Sequence, residues 1–86
     1  MSYDINPRRV TGVISECQFA LTNKGFNHGE VIIGLSELIG RTIVQSAETP
    51  IKGADAAKVV IDHLNRTLHA GFTSKGFNMG GGDESA

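Results

Sequence analysis

Apolar residues recur in steps of three and four along most of the chain, which is the spacing of an α-helix. The pattern predicts three helices, at about residues 7–24, 28–47 and 54–75. Strands are not expected, because no short segment alternates between apolar and polar residues. The predicted fold is therefore all-α: a three-helix antiparallel bundle in a single domain over residues 1–78. The Gly-rich, acidic segment 79–86 is too poor in apolar residues to pack, and we expect it to be disordered.

A repeated sequence, Lys-Gly-Phe-Asn, marks the predicted ends of helices 1 and 3. Gly25 and Gly76 suit the left-handed position that follows a helix, because glycine adopts positive φ without penalty. Phe26 and Phe77 then suit the next position, where an apolar side chain packs back on the last turn. The simpler interpretation of the repeat is two similar helix stops, and the alternative is a shared recognition motif.

The predicted starts of helices 2 and 3 differ in kind. Asn27 suits the N-cap of helix 2, and Glu30 completes a capping-box pair with it. Thr49 precedes Pro50, and a residue before proline is disfavoured in the helical conformation. The pattern therefore predicts a non-helical connection there, with helix 3 beginning only near Ala54.

Helix 2 is apolar on more sides than two neighbouring helices would cover. Its narrow polar strip includes the i,i+4 pair Glu37 and Arg41, in the favourable order. The remaining apolar surface predicts a homo-oligomer, most simply a two-fold dimer that completes the bundle. The expected interface consists of Phe19, Ile33, Gly34, Ser36, Gly40 and Val44.

Composition and charge exclude several classes of protein. The formal net charge of −1 provides no basic field to attract nucleic acid. A single cysteine cannot form an intrachain disulfide, and no apolar run approaches the roughly 18 residues of a membrane span. The first residues do not follow the signal-peptide pattern, so a cytoplasmic location is expected.

Residues capable of catalysis or metal binding do not form a readable site. Cys17 lies in the apolar stripe of helix 1 and is expected to act as a small hydrophobe. His63 and His69 are six residues apart, which directs them to different sides of a helix. We therefore expect neither an enzyme, nor a metal site, nor a cofactor.

The leading hypothesis is a small, non-catalytic protein that acts by binding and modulating a partner protein. The layout looks like that of small bacterial or phage-encoded all-α accessory proteins. That resemblance concerns architecture alone and assigns no site residues.

An alternative is an oligomeric protein that binds a small anionic ligand such as a nucleotide at the N-terminus of helix 2, where backbone N–H groups and the helix dipole favour anions. Glu30 could satisfy the same donors as part of the capping box. A third option, a helix-turn-helix DNA binder, is opposed by the acidic residues of helix 3. The residues proposed for the anion site are Lys24, Asn27, His28 and Gly29, with Arg41 and Arg66 converging on it, especially across a dimer.

Overall fold

The computed structural model describes residues 4–78, which contain three α-helices and no strand. Helix α1 spans Pro7–Leu21, α2 spans His28–Ser46 and α3 spans Pro50–Ser74. The predicted all-α class is confirmed for this part of the chain. The prediction of a disordered tail at residues 79–86 lies outside the described residues.

The chain divides into two compact units, with the boundary between Ala47 and Glu48. Unit 1 contains α1 and α2, and unit 2 contains α3. The single domain expected over residues 1–78 stays a prediction.

Side-chain caps fix the starts of α1 and α2. The Asn6 side chain accepts a hydrogen bond from the backbone N–H of Arg8 at 2.9 Å, and Pro7 occupies the first helical position. At α2, the backbone N–H of Glu30 donates to the Asn27 side chain at 2.8 Å, and the Asn27 N–H donates to the Glu30 carboxylate at 2.9 Å. Each cap satisfies N–H groups that have no partner inside the helix, and the predicted capping box is confirmed.

Helix α3 begins at Pro50, earlier than the expected start near Ala54. Thr49 is extended, with φ −141° and ψ 158°, as a residue before proline prefers. Its side chain accepts a hydrogen bond from the backbone N–H of Lys52 at 3.2 Å, so it caps the helix. The Thr-Pro pair therefore starts α3, because proline suits the first helical position, where its missing N–H is not needed.

The end of α1 also differs from the prediction, since the helix stops at Leu21. The Thr22 hydroxyl donates to the Gln18 carbonyl at 2.6 Å, and Asn23 takes the left-handed conformation with φ 61°. The helix ends at its C-cap Thr22, which is extended with φ −66° and ψ 132°, and Asn23 follows it in a region that asparagine tolerates better than other residues with a Cβ. Gly25 also has positive φ, at 83°, but it lies in the connection beyond the helix end.

The end of α3 matches the predicted stop. Gly76 has φ 100°, and its N–H donates to the carbonyl of Thr73 at 3.0 Å. The N–H of Phe77 donates to the carbonyl of Phe72 at 3.0 Å, which completes a Schellman motif. The two phenyl rings meet edge to face, with centroids 5.7 Å apart. The two copies of the repeat therefore differ in structure, because only the second copy directly ends a helix.

No side chain between residues 4 and 78 is fully buried. All three helices carry half-buried positions, and large apolar side chains elsewhere on each helix are exposed. In unit 1 the half-buried residues are Cys17, Leu21, Val31, Leu35, Ile43 and Ala47, and in unit 2 they are Lys52, Gly53, Ala56, Ala57 and Val60.

Candidate functional site

An exposed apolar strip runs along one side of α2. Ile33 and Val44 are 68% and 78% exposed, and Gly40 lies between them along the helix. At 3.6 residues per turn these three positions lie within about 40° of one another around the axis. They lie on the side of α2 away from the half-buried Leu35. We call Ile33, Gly40 and Val44 the outer face of α2.

Polar groups border the outer face of α2 on both edges. Glu37 and Arg41 form the predicted ion pair on one edge, and both side chains are exposed. On the other edge, the Ser36 hydroxyl donates to the carbonyl of Ile32 at 2.8 Å, so this side chain stays close to its own helix. The strip is therefore apolar and small at its centre and charged along one edge.

The other two residues of the expected oligomer interface lie off the outer face. Gly34 lines a shallow groove with Glu37, Leu38 and Arg41, beyond the charged edge. Phe19 is 82% exposed. It lies two residues from Cys17, a rotation of about 200°, which places it on the opposite side of α1 from that half-buried residue.

A second apolar surface lies on α3. Ile61, Leu64, Leu68 and Phe72 follow one another in steps of three and four and lie within about 80° around the helix. They are between 39% and 58% exposed, and every residue from Ile61 to Ser74 is exposed. We call these four residues the apolar stripe of α3. The apolar spacing of the sequence predicts that one side of this helix is apolar, but it does not show what covers that side.

The C-terminal end of the α3 stripe carries a cation. The Lys75 ammonium lies 5.8 Å from the centroid of the Phe72 ring, a cation–π geometry. On the polar side of the helix, Arg66 pairs with Asp62 at 2.8 Å. The stripe therefore ends at a lysine, and the opposite side of the helix carries an ion pair.

Four residues proposed for an anion site lie together around the start of α2. Lys24 and Asn27 belong to the connection between α1 and α2, and His28 and Gly29 open the helix. The capping box already engages the backbone N–H groups of Asn27 and Glu30. A carboxylate therefore already lies against the start of this helix, supplied by the protein itself.

The two arginines proposed for the same site each form an ion pair with a carboxylate of their own helix. Arg41 lies thirteen residues beyond His28 on α2, about 20 Å along the axis, and is paired with Glu37. Arg66 belongs to unit 2 and is paired with Asp62. Within one chain, Arg41 cannot contact a ligand held at the start of α2.

Within residues 4–78 there is no group of three or more His, Cys, Asp and Glu side chains that could hold a metal ion. Over the same residues, no helix combines the length and apolar character that crossing a membrane requires. Comparison with protein-family models, curated proteins and solved structures finds no match to this chain.

Proposed function

We propose that this is a small, non-catalytic protein that acts by binding a partner protein through the apolar stripe of α3. The observation that carries the proposal is the exposure of this stripe along the second half of the helix, from Ile61 to Phe72. Fully burying a large apolar side chain contributes about 1.5–3 kcal/mol, so four such side chains offer a partner substantial binding free energy.

The spacing of the stripe matches a known mode of recognition. Ile61, Leu64, Leu68 and Phe72 occupy positions i, i+3, i+7 and i+11, the arrangement by which an amphipathic helix lies in an apolar groove. An isolated helical segment of this length is only marginally stable in water, so packing against a partner would also stabilise α3 itself. The partner would present an apolar groove, with an acidic group near Lys75 where the stripe ends.

The surrounding architecture is part of the same proposal. The three helices pack as an antiparallel bundle, two copies associate as a two-fold dimer, and the protein acts in the cytoplasm of a bacterium or an infected cell as an accessory factor. The exposed outer face of α2 supports the dimer, because Ile33 and Val44 are large apolar residues that association would remove from water.

Two matched substitutions on α3 test binding through the stripe. Leu68→Glu places a charge on the stripe, whereas Ala70→Glu places the same charge about 160° around the helix, on an exposed position. We expect affinity pull-downs from a bacterial lysate to recover a partner with the unmodified protein and with Ala70→Glu. Leu68→Glu should weaken its binding roughly tenfold to a hundredfold, the loss of about 1.5–3 kcal/mol. Equal recovery with both variants would contradict a role for the stripe.

A second candidate function is the binding of a small anion such as a nucleotide at the start of α2. Lys24 favours it, because this exposed cation lies just before the helix and has no ion-pair partner among residues 4–78. The capping box competes with it, since Glu30 already supplies a carboxylate to this helix start.

A further inference from the structure

We propose that the outer face of α2 binds the outer face of α2 in a second copy of this chain, with the two helices antiparallel and the two-fold axis near residues 38 and 39. The inference rests on the proposed dimer and gives it a specific geometry. It does not depend on the partner protein that we propose for α3.

The apolar residues of the outer face complement themselves under this symmetry. Ile33 and Val44 lie at nearly equal distances on either side of the proposed axis. In an antiparallel pair, Ile33 of each copy therefore packs on Val44 of the other, and both contacts form together. These side chains are among the most exposed large apolar residues of α2, so their pairing removes the largest unprotected apolar surface of that helix from water.

The charged edge supplies the argument for a second copy as the occupant. Glu37 and Arg41 also lie at nearly equal distances on either side of the axis, and they share one edge of the helix. In an antiparallel pair the same edges of the two helices face each other, so Glu37 of each copy meets Arg41 of the other. Two ion pairs within the helices become a cluster of four alternating charges, a pattern that is electrostatically complementary to itself.

Small residues on the outer face and on its uncharged edge allow the helices to approach closely. Ser36 of one copy falls opposite Gly40 of the other, and this pairing also occurs twice. A Cβ added at Gly40 would meet nothing within 4 Å in the single chain, so the space above this glycine is open. The Ser36 hydroxyl is already hydrogen-bonded to its own helix and needs no partner from the second copy. Apolar centre, charged edge and small edge all match under a single two-fold axis.

A mixing experiment tests this geometry. Glu37→Arg gives one variant two cations on the charged edge, and Arg41→Glu gives another variant two carboxylates there. Each variant should dimerise at least roughly tenfold more weakly than the unmodified protein, because like charges face each other in its homodimer. An equimolar mixture should recover dimerisation, measured by light scattering and by analytical ultracentrifugation, because each cation then meets a carboxylate of the other copy.

The mixture separates pairing between copies from effects within one chain. Each variant loses its own Glu37–Arg41 pair, and mixing does not restore that pair, so recovery reports contact between copies. Circular dichroism of each variant shows whether the helices still form. An unmodified protein that stays monomeric at hundreds of micromolar overturns both the dimer and this inference. A dimer that neither variant weakens, or that the mixture does not restore, overturns the geometry and leaves the proposed dimer standing. Neither result bears on the Leu68→Glu test of α3.

Cysteine cross-linking reports the direction of the helices. In a Cys17→Ser background, Ile33→Cys and Val44→Cys variants should each form few disulfide-linked dimers alone, and a mixture of the two should form many. Cross-linking of each variant with itself would show a parallel pair and would overturn the antiparallel arrangement.

Discussion

Gly76 holds the end of α3 with φ 100°, a backbone conformation that costs a residue with a Cβ roughly 1–2 kcal/mol. We therefore expect Gly76→Ala to lower the free energy of unfolding by about 1 kcal/mol, which corresponds to a fall of about 4–8 °C in Tm for a domain of this size. Thermal unfolding followed by circular dichroism measures this change.

Gly71 provides the matched control within the same helix. A Cβ added there meets nothing within 4 Å, and the residue has ordinary helical geometry, so Gly71→Ala should raise stability by up to about 1 kcal/mol through helix propensity. Changes of opposite sign in the free energy of unfolding for Gly76→Ala and Gly71→Ala would show that the Schellman turn persists in solution. Equal effects would contradict it.

The residues that follow each helix in the sequence predicted the end of α3 more accurately than the end of α1. Gly76 and Phe77 were identified from the sequence, and the structure places both as expected. At α1 the predicted helix end was based on Gly25, whereas Asn23 already takes positive φ before the chain reaches that glycine. Asparagine tolerates the left-handed region, so a Thr-Asn pair after the last apolar residue was the available signal.

The start of α2 distinguishes a helix cap from an anion site. If an anion binds there, nucleotides and cyclic dinucleotides at 100 times their Kd should stabilise the protein by about 2.7 kcal/mol, visible as a rise in Tm. Lys24→Ala should abolish that rise without unfolding the protein, because Lys24 is exposed and unpaired among the described residues. No rise with any anion at millimolar concentration would leave the Asn27–Glu30 capping box as the whole role of this segment.

The predicted start of α3 depends on how Pro50 is interpreted. A residue before proline is disfavoured in a helix, so Thr49 indicates a break in the helical pattern. Proline itself is favoured at the first helical position, so Pro50 indicates a helix start. The structure follows the second rule, with Thr49 as the cap and an ion pair between Glu48 and Lys52 across the first turn at 2.9 Å. Both rules are physically sound, so local sequence could not choose between them.

For the whole molecule, dimerisation predicts a Tm that rises with protein concentration, because association stabilises the folded state by mass action. The Tm should therefore rise as the concentration of the protein chain is raised from about 5 to about 500 µM. Val44→Glu, on the outer face of α2, should remove the dependence, whereas Val59→Glu, on an exposed position of α3 outside both proposed surfaces, should keep it. A Tm independent of concentration for the unmodified protein would argue against association.

The candidate surfaces were less predictable than the helices that carry them. Periodicity located the apolar sides of α2 and α3, since that information is local. It could not show that the stripe from Ile61 to Phe72 is exposed, because exposure depends on what packs against the helix, which a single sequence does not specify. The distance of about 20 Å between Arg41 and the start of α2, by contrast, already follows from the length of the predicted helix.

The Schellman stop also fixes the length of the surface that α3 can offer. The stripe extends about 16 Å from Ile61 to Phe72. At Gly76 the backbone enters the left-handed conformation, so that Phe77 folds back against Phe72. A binding groove can follow this helix for three turns and then meets an aromatic pair and a lysine across its path. The end of the helix therefore limits the length of a binding groove. Short grooves that are closed at one end fit α3 better than long, open ones.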